Sequence, residues 1–279
     1  MRVLLTGAGG QLGRELAQAF DGDVVLAARH EQLDVADRDA VIQACDVFGP
    51  DVIVHAGAWT DVDGCEGDPD RAHRVNALGT RHVAEAARLV GARVCYVSTD
   101  YVFDGRAGRP YTEWDEPGPI SVYGRSKLGG ERELGPEALI LRTSWLYGRH
   151  GHNMVKTLLR LAAERERLAF VDDQHGSPTN AGDLAGMVRT LVVARRTGLF
   201  HVTNQGATTW FGLARAVFGY AGLDPARVEP VSTEALGPAR PAPRPAYSVL
   251  DNAGLRLSGV PLLPDWHDPL ERLVKELVS

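Results

Sequence analysis

The chain has 279 residues, 44% hydrophobic and 24% charged. That is room for one large α/β unit or two small domains, not for a multidomain assembly or a disordered polypeptide. A formal net charge of −6 supplies no basic field, so neither nucleic acid nor an acidic membrane is expected as a partner.

In chain order, Val3-Leu4-Leu5 reads as a strand that runs into Gly-rich sequence, followed by a helix over 11–20. A strand over 23–28, a helix over 37–45 and a strand over 51–55 come next. Apolar residues at helical spacing predict one long helix over 69–90, then a strand over 93–98, a helix over 121–134 and a strand over 139–143. Near-continuous apolar strands separated by amphipathic helices imply an α/β fold, a Rossmann-type doubly wound parallel sheet covered on both faces. The second half reads as a helix over 153–166, a strand over 198–203, a Pro-rich irregular stretch over 225–245 and a closing helix over 269–278. Cys45, Cys65 and Cys95 have no metal-ligand spacing and are expected as buried thiols. No apolar run reaches membrane-spanning length and the first residues carry no leader pattern, so a cytoplasmic location is expected.

Gly7, Gly10 and Gly13, with Gln11 and Leu12 between, follow the first strand and open the first helix. This arrangement brings backbone N–H groups and a helix N-terminus to a dinucleotide pyrophosphate. The second strand ends in Arg29, a basic residue where an acidic one would favour NAD. Arg29 is therefore a candidate for the 2′-phosphate of NADP. Asp34-Val35 are expected beside the adenine ring. Ala56-Gly57-Ala58, after the third strand, are small enough for close approach to the cofactor.

Tyr123 and Lys127 stand four apart on a helix and so share a face. Of 30 Lys and Arg, only Lys127, Lys156 and Lys275 are lysine, which makes a chance pairing rare. An ammonium beside a phenol is expected to lower the tyrosine pKa and make it a usable proton donor or acceptor. Thr99, at the end of the fourth strand, is placed to hydrogen-bond a substrate carbonyl beside Tyr123.

The Gly-rich loop, Thr99, Tyr123 and Lys127 together resemble the extended short-chain dehydrogenase/reductase superfamily. Thr60-Asp61-Val62-Asp63, Ser98 to Gly105, Leu141 to Gly148, Asp173 to Thr179, Arg244-Pro245 and Leu263 to Trp266 resemble the dTDP-4-dehydrorhamnose reductases over essentially the whole chain. The resemblance implies NADPH-dependent (or NADH-dependent) reduction of the 4-keto group of a dTDP-linked 6-deoxysugar, dTDP-4-dehydro-L-rhamnose to dTDP-L-rhamnose. It implies Tyr123 as proton donor, Lys127 on the nicotinamide ribose and Thr99 on the carbonyl, with Asp100 and Trp145 on the sugar nucleotide. It also implies a dinucleotide domain over 1–148, completed by segments near 182–204 and 244–252, and a smaller substrate-binding domain over 149–279. A homodimer and a bound Mg²⁺ remain open, since no ligand spacing argues for the metal. Thr99-Asp100-Tyr101 lacks the glutamate that dehydratases of this superfamily carry, which favours simple reduction. Trp59 departs from the commoner smaller or polar residue beside the site. The competing readings are a 4-ketoreductase of another dTDP-deoxysugar in antibiotic biosynthesis and a non-catalytic NADP-binding regulatory subunit of the same fold. Arg149, Lys156, Arg240 and Arg244 are candidate partners for the substrate diphosphate.

Overall fold

The structure is a computed structural model that describes residues 1–235 and 240–279. The first half alternates β1 (Arg2–Thr6), α1 (Gln11–Ala19), β2 (Val24–Ala28), α2 (Arg38–Phe48) and β3 (Val52–His55). Short helices α3 (Val62–Gly67) and α4 (Pro69–His73) lead through a π-helical turn (Arg74–Leu78) into α5 (Gly79–Val90). Then come β4 (Arg93–Thr99), a 3₁₀ turn (Asp100–Val102), α6 (Val122–Arg132), β5 (Leu139–Thr143) and β6 (Leu146–Tyr147). The second half holds α7 (Met154–Glu164), β7 (Leu168–Val171), β8 (His175–Gly176), β9 (Thr179–Asn180), α8 (Ala181–Val193) and β10 (Gly198–His201). It closes with β11 (Thr208–Thr209), α9 (Trp210–Tyr220), β12 (Val228–Val231), α10 (Ala253–Leu257) and α11 (His267–Val278).

Six strands form one parallel sheet in the order β10-β5-β4-β3-β1-β2. Successive strand residues point to opposite faces. Leu5, Val52 and Val54 therefore pack with Leu16, Leu184 and Val188 of α1 and α8. Leu4 and Ile53 pack with Val41, Val83 and Ala86 of α2 and α5. A separate core lies beyond the sheet, where Val155, Leu158, Leu213, Phe218, Trp266 and Leu270 join α7, α9 and α11. The chain reverses direction across the sheet between β1 and β3, so a crevice opens at the strand carboxyl ends.

Three expectations are corrected. The helix over 69–90 is interrupted by the π turn. Of the Pro-rich stretch, 236–239 lie outside the described residues, and part of the rest is regular: β12 pairs in parallel with β7. Pro230 is tolerated there because β12 lies in a two-stranded sheet, where a missing N–H can face away from its partner. Finally, 244–252 adds no strand to the main sheet. The free edge of β10 is already occupied: His201 N donates to Glu113 Oε1 at 2.8 Å and Thr203 N donates to Asn252 Oδ1 at 2.9 Å. The segment instead makes isolated bridges to Tyr111 and His175. All three cysteines are buried and free, and burial pushes the Cys95 thiol up to about 12.

Candidate active site

A cavity of about 1140 Å³ lies at the carboxyl ends of the parallel strands. Its walls include Gly7, Gly10, Gln11, Leu12, Gly13 and Arg29 at one end. Val35, Ala56, Gly57, Ala58, Thr99, Asp100, Tyr123, Lys127 and Trp145 also line it. Asp34 does not line it. Its Oδ1 accepts the N–H of Ala36 at 2.9 Å, which turns the chain toward α2.

The loop after β1 fits a dinucleotide. Gly7 adopts φ +71°, and a side chain there would meet Gly57 Cα at 2.7 Å, while one at Gly13 would meet the Gly7 carbonyl at 2.2 Å. Only bare backbone lets β1, β3 and the start of α1 come this close, leaving amide groups directed at a ligand phosphate. The N-cap of α1 has no side-chain cap and no acidic residue stands in its first turn. An anion is thus favoured at that helix end. Arg29 drapes its side chain over Gly9, and Arg14, which sequence reasoning missed, donates from Nε to the Gly9 carbonyl at 3.3 Å. Both guanidinium groups border the cavity, as does Glu31.

Tyr123 and Lys127 occupy one face of α6, both buried. Lys127 Nζ donates to the Val97 carbonyl at 2.8 Å and sits 4.1 Å from the Tyr96 ring centroid. Burial pulls its pKa down to about 7, opposed by the Glu131 carboxylate one turn on. Tyr123 departs from the lowered pKa expected of it. Burial raises it well above the usual phenol range. Desolvation dominates, and the side chain is held as a phenol. The Thr99 hydroxyl donates to Asp100 Oδ1 at 3.0 Å and accepts the Tyr101 N–H at 3.2 Å, so its hydrogen is already committed. Asp100 also accepts from Ser248 Oγ at 2.5 Å. Burial pushes its pKa up to about 7 against these two hydrogen bonds.

Several supporting residues carried no sequence signal. Asn76, in the π turn, accepts the Trp59 N–H at 2.8 Å and donates to the Trp59 carbonyl at 3.0 Å and to Ser126 Oγ at 2.9 Å. It thereby ties the loop after β3 to α6. Trp59 faces the cavity with the Arg71 guanidinium 4.3 Å from its ring centroid. Glu131 accepts two bonds from Arg142 at 2.9 and 2.6 Å and one from Ser98 at 2.5 Å, pinning α6 to β4 and β5. Trp145 adopts φ 45°, strained for a residue with a Cβ, and stacks on Trp210 at 3.6 Å. The four cations considered for the substrate diphosphate fall in two pairs, Arg149 with Lys156 and Arg240 with Arg244 near Asp63 and Tyr101. Arg149 pairs with Glu276, Lys156 donates to the Arg149 carbonyl, Arg240 is exposed, and Arg244 grips Asp63 at 2.8 Å. Among the described residues no cluster of His, Cys, Asp and Glu is arranged to hold a metal, and no helix is long and apolar enough to cross a membrane.

A doubly wound sheet, a glycine cradle at β1 and a buried Tyr-Lys pair beneath β4 define an NAD(P)-dependent oxidoreductase of the short-chain dehydrogenase/reductase type. The profile of the RmlD substrate binding domain matches residues 1–279, and the chain belongs to that family. It is 45% identical to a dTDP-4-dehydrorhamnose reductase of Streptomyces griseus over 96% of this chain and 91% of that one. It superposes with TM-score 0.95 on the crystal structure of dTDP-4-dehydrorhamnose reductase from Bacillus anthracis in complex with NADP, at 42% identity over 99% of both chains. A dTDP-4-dehydrorhamnose reductase ortholog from Clostridium acetobutylicum gives TM-score 0.96 at 39% identity, over the full length of both chains.

Proposed function

We propose that the protein reduces the 4-keto group of dTDP-4-dehydro-L-rhamnose to give dTDP-L-rhamnose, with NADPH as the reductant. The carrying observation is that one cavity joins the glycine cradle to Thr99, Asp100, Tyr123 and Lys127. Residues 1–148 with β10 form the dinucleotide-binding unit in this reading, and most of 149–279 forms the wall for the sugar nucleotide. NADPH supplies the hydride to the sugar carbon. Gly7, Gly10, Gln11, Leu12 and Gly13 hold the pyrophosphate, Arg29 holds the 2′-phosphate, and Val35 and Ala56 to Ala58 flank the nucleoside. Lys127 holds the nicotinamide ribose. Tyr123 gives its proton to the carbonyl oxygen as charge develops there, Thr99 fixes the phenol, and Asp100 and Trp145 orient the sugar. The test is loss of nicotinamide absorbance with this keto sugar nucleotide, with the product identified by NMR. No oxidation with any 4-keto sugar nucleotide defeats the proposal.

Two predictions follow from the charges. Reduction needs Tyr123 as phenol and Lys127 as ammonium. The phenol persists through the neutral range, whereas a lysine pulled down to about 7 loses its proton as pH rises through that value. kcat/KM should therefore peak near pH 7: above it Lys127 loses its proton and the rate falls about tenfold per pH unit, and below it Asp100, itself pushed up to about 7, takes up a proton. A profile flat to about pH 9 contradicts this. The double variant Arg14→Ala/Arg29→Ala should raise KM for NADPH about 10–100-fold, the worth of charge-assisted bonds to the 2′-phosphate. KM for NADH should hardly change, and an equal rise for both cofactors removes the 2′-phosphate role.

A further inference from the structure

We infer that Ser248 is a positioning residue of the active site: it locks the Asp100 carboxylate, and through it the Thr99 hydroxyl, against Tyr123. This rests on the reading of Tyr123 as proton donor.

Asp100 has two carboxylate oxygens and each has one side-chain donor. Thr99 Oγ1 serves Oδ1 at 3.0 Å and Ser248 Oγ serves Oδ2 at 2.5 Å. Asp100 and Ser248 are each 2% exposed, so water does not replace a lost donor freely. A carboxylate left half-satisfied in such a place rotates toward whatever donor remains. Ser248 is not in the cavity wall, so it acts through Asp100 and not on the ligand.

The serine is itself well held. Its N–H donates to the His175 carbonyl at 2.8 Å, and His175 N donates back to Ala246 at 2.8 Å. The Tyr247 ring stacks on His175. Four residues upstream, Arg244 forms a two-pronged pair with Asp63. A hydroxyl on backbone pinned this way arrives pre-aimed, as supporting shells around reactive groups do. With Asp100 fixed, the single Thr99 hydrogen is committed to it, and the Thr99 hydroxyl, the side-chain hydrogen-bond partner of Tyr123 on the cavity wall, is fixed with it. Without Ser248 the carboxylate turns, Thr99 turns with it, and the phenol loses its partner.

The test uses the full chain with NADPH and dTDP-4-dehydro-L-rhamnose. Ser248→Ala should lower kcat about 10–100-fold, the loss expected of a buried bond to a charged group. KM for NADPH should stay within about threefold, since Ser248 and Asp100 lie on the sugar side in this reading, whereas KM for the keto sugar is free to move with Asp100. Ser248→Thr, which keeps the hydroxyl, should restore most of the rate. In an Asp100→Asn background the same serine change should cost less than about twofold, because the carboxylate it positions is gone. Wild-type kcat in Ser248→Ala, an effect confined to KM, or an equal loss in the Asp100→Asn background overturns the inference. Should the alanine variant not fold, Ser248→Cys keeps the volume and weakens the donor, and wild-type kcat in it is equally fatal. Tyr123→Phe separates the two layers. Full turnover there removes the proton-donor reading itself, whereas a dead Tyr123→Phe beside a fully active Ser248→Ala removes only the role of the serine.

Discussion

Tyr123→Phe should bind NADPH as the wild type does and reduce the keto sugar about 10²–10⁴-fold more slowly, the range for losing a positioned proton donor. The substitution removes one oxygen from a buried side chain and leaves the ring in place. Its edge-on contact with Tyr101, with ring centroids 5.8 Å apart, survives, and so does the packing around Val122 and Cys65. Stability and cofactor binding are therefore controls, read by thermal melting and by nicotinamide fluorescence. Because burial keeps Tyr123 a phenol, the wild-type enzyme does not have to be acidified to load the proton. Retained turnover in the phenylalanine variant would assign the proton to another group.

Lys127→Arg should lower kcat at least about 100-fold, although arginine replaces lysine almost everywhere else in this chain. Lys127 is 3% exposed, and its ammonium fits between the Val97 carbonyl and the face of Tyr96. A guanidinium is planar and larger than an ammonium, so it cannot enter that slot. A lower melting temperature should accompany the lost rate. Lys275→Arg is the matched control, because Lys275 is 65% exposed and pairs with Glu271 on the surface. Steady-state rates of the two variants side by side decide the matter, and full activity in Lys127→Arg would remove the lysine from the mechanism.

The parts of the molecule governed by local patterning were legible in the sequence. Strand runs such as 139–143 and the loop after β1 obey short-range rules, and β5 falls on the residues read for it. The spacing of Tyr123 and Lys127 forced a shared face. What stayed hidden depends on contacts between distant residues. Asp100 and Ser248 lie 148 positions apart, and nothing in either neighbourhood announces the other. The pKa of Tyr123 went astray for a related reason: sequence shows a lysine one turn away but not the burial that raises the phenol, nor that the ammonium is turned to Val97 and Tyr96. Asp34 caps its own backbone through one carboxylate oxygen, a turn use of aspartate that the sequence does not separate from ligand contact. The edge of β10 shows the same effect, since Glu113 and Asn252 occupy it with side chains that no strand pattern foretells.

The π turn at Arg74–Leu78 has a genetic consequence. A π turn holds one residue more than the regular helix it interrupts. Loss of a single codon there would heal α4 and α5 into one unbroken helix, a change that looks stabilising by helix geometry alone. The two flanking helices would keep nearly the same phase, because a wide turn absorbs the extra residue, and the change would fall on the turn itself. Asn76 would leave Trp59 and Ser126, and with them the link between the β3 loop and the helix that bears Tyr123 and Lys127. The extra residue of this turn is thus the one that carries Asn76 to its partners, and a shorter gene would trade that link for a more regular helix.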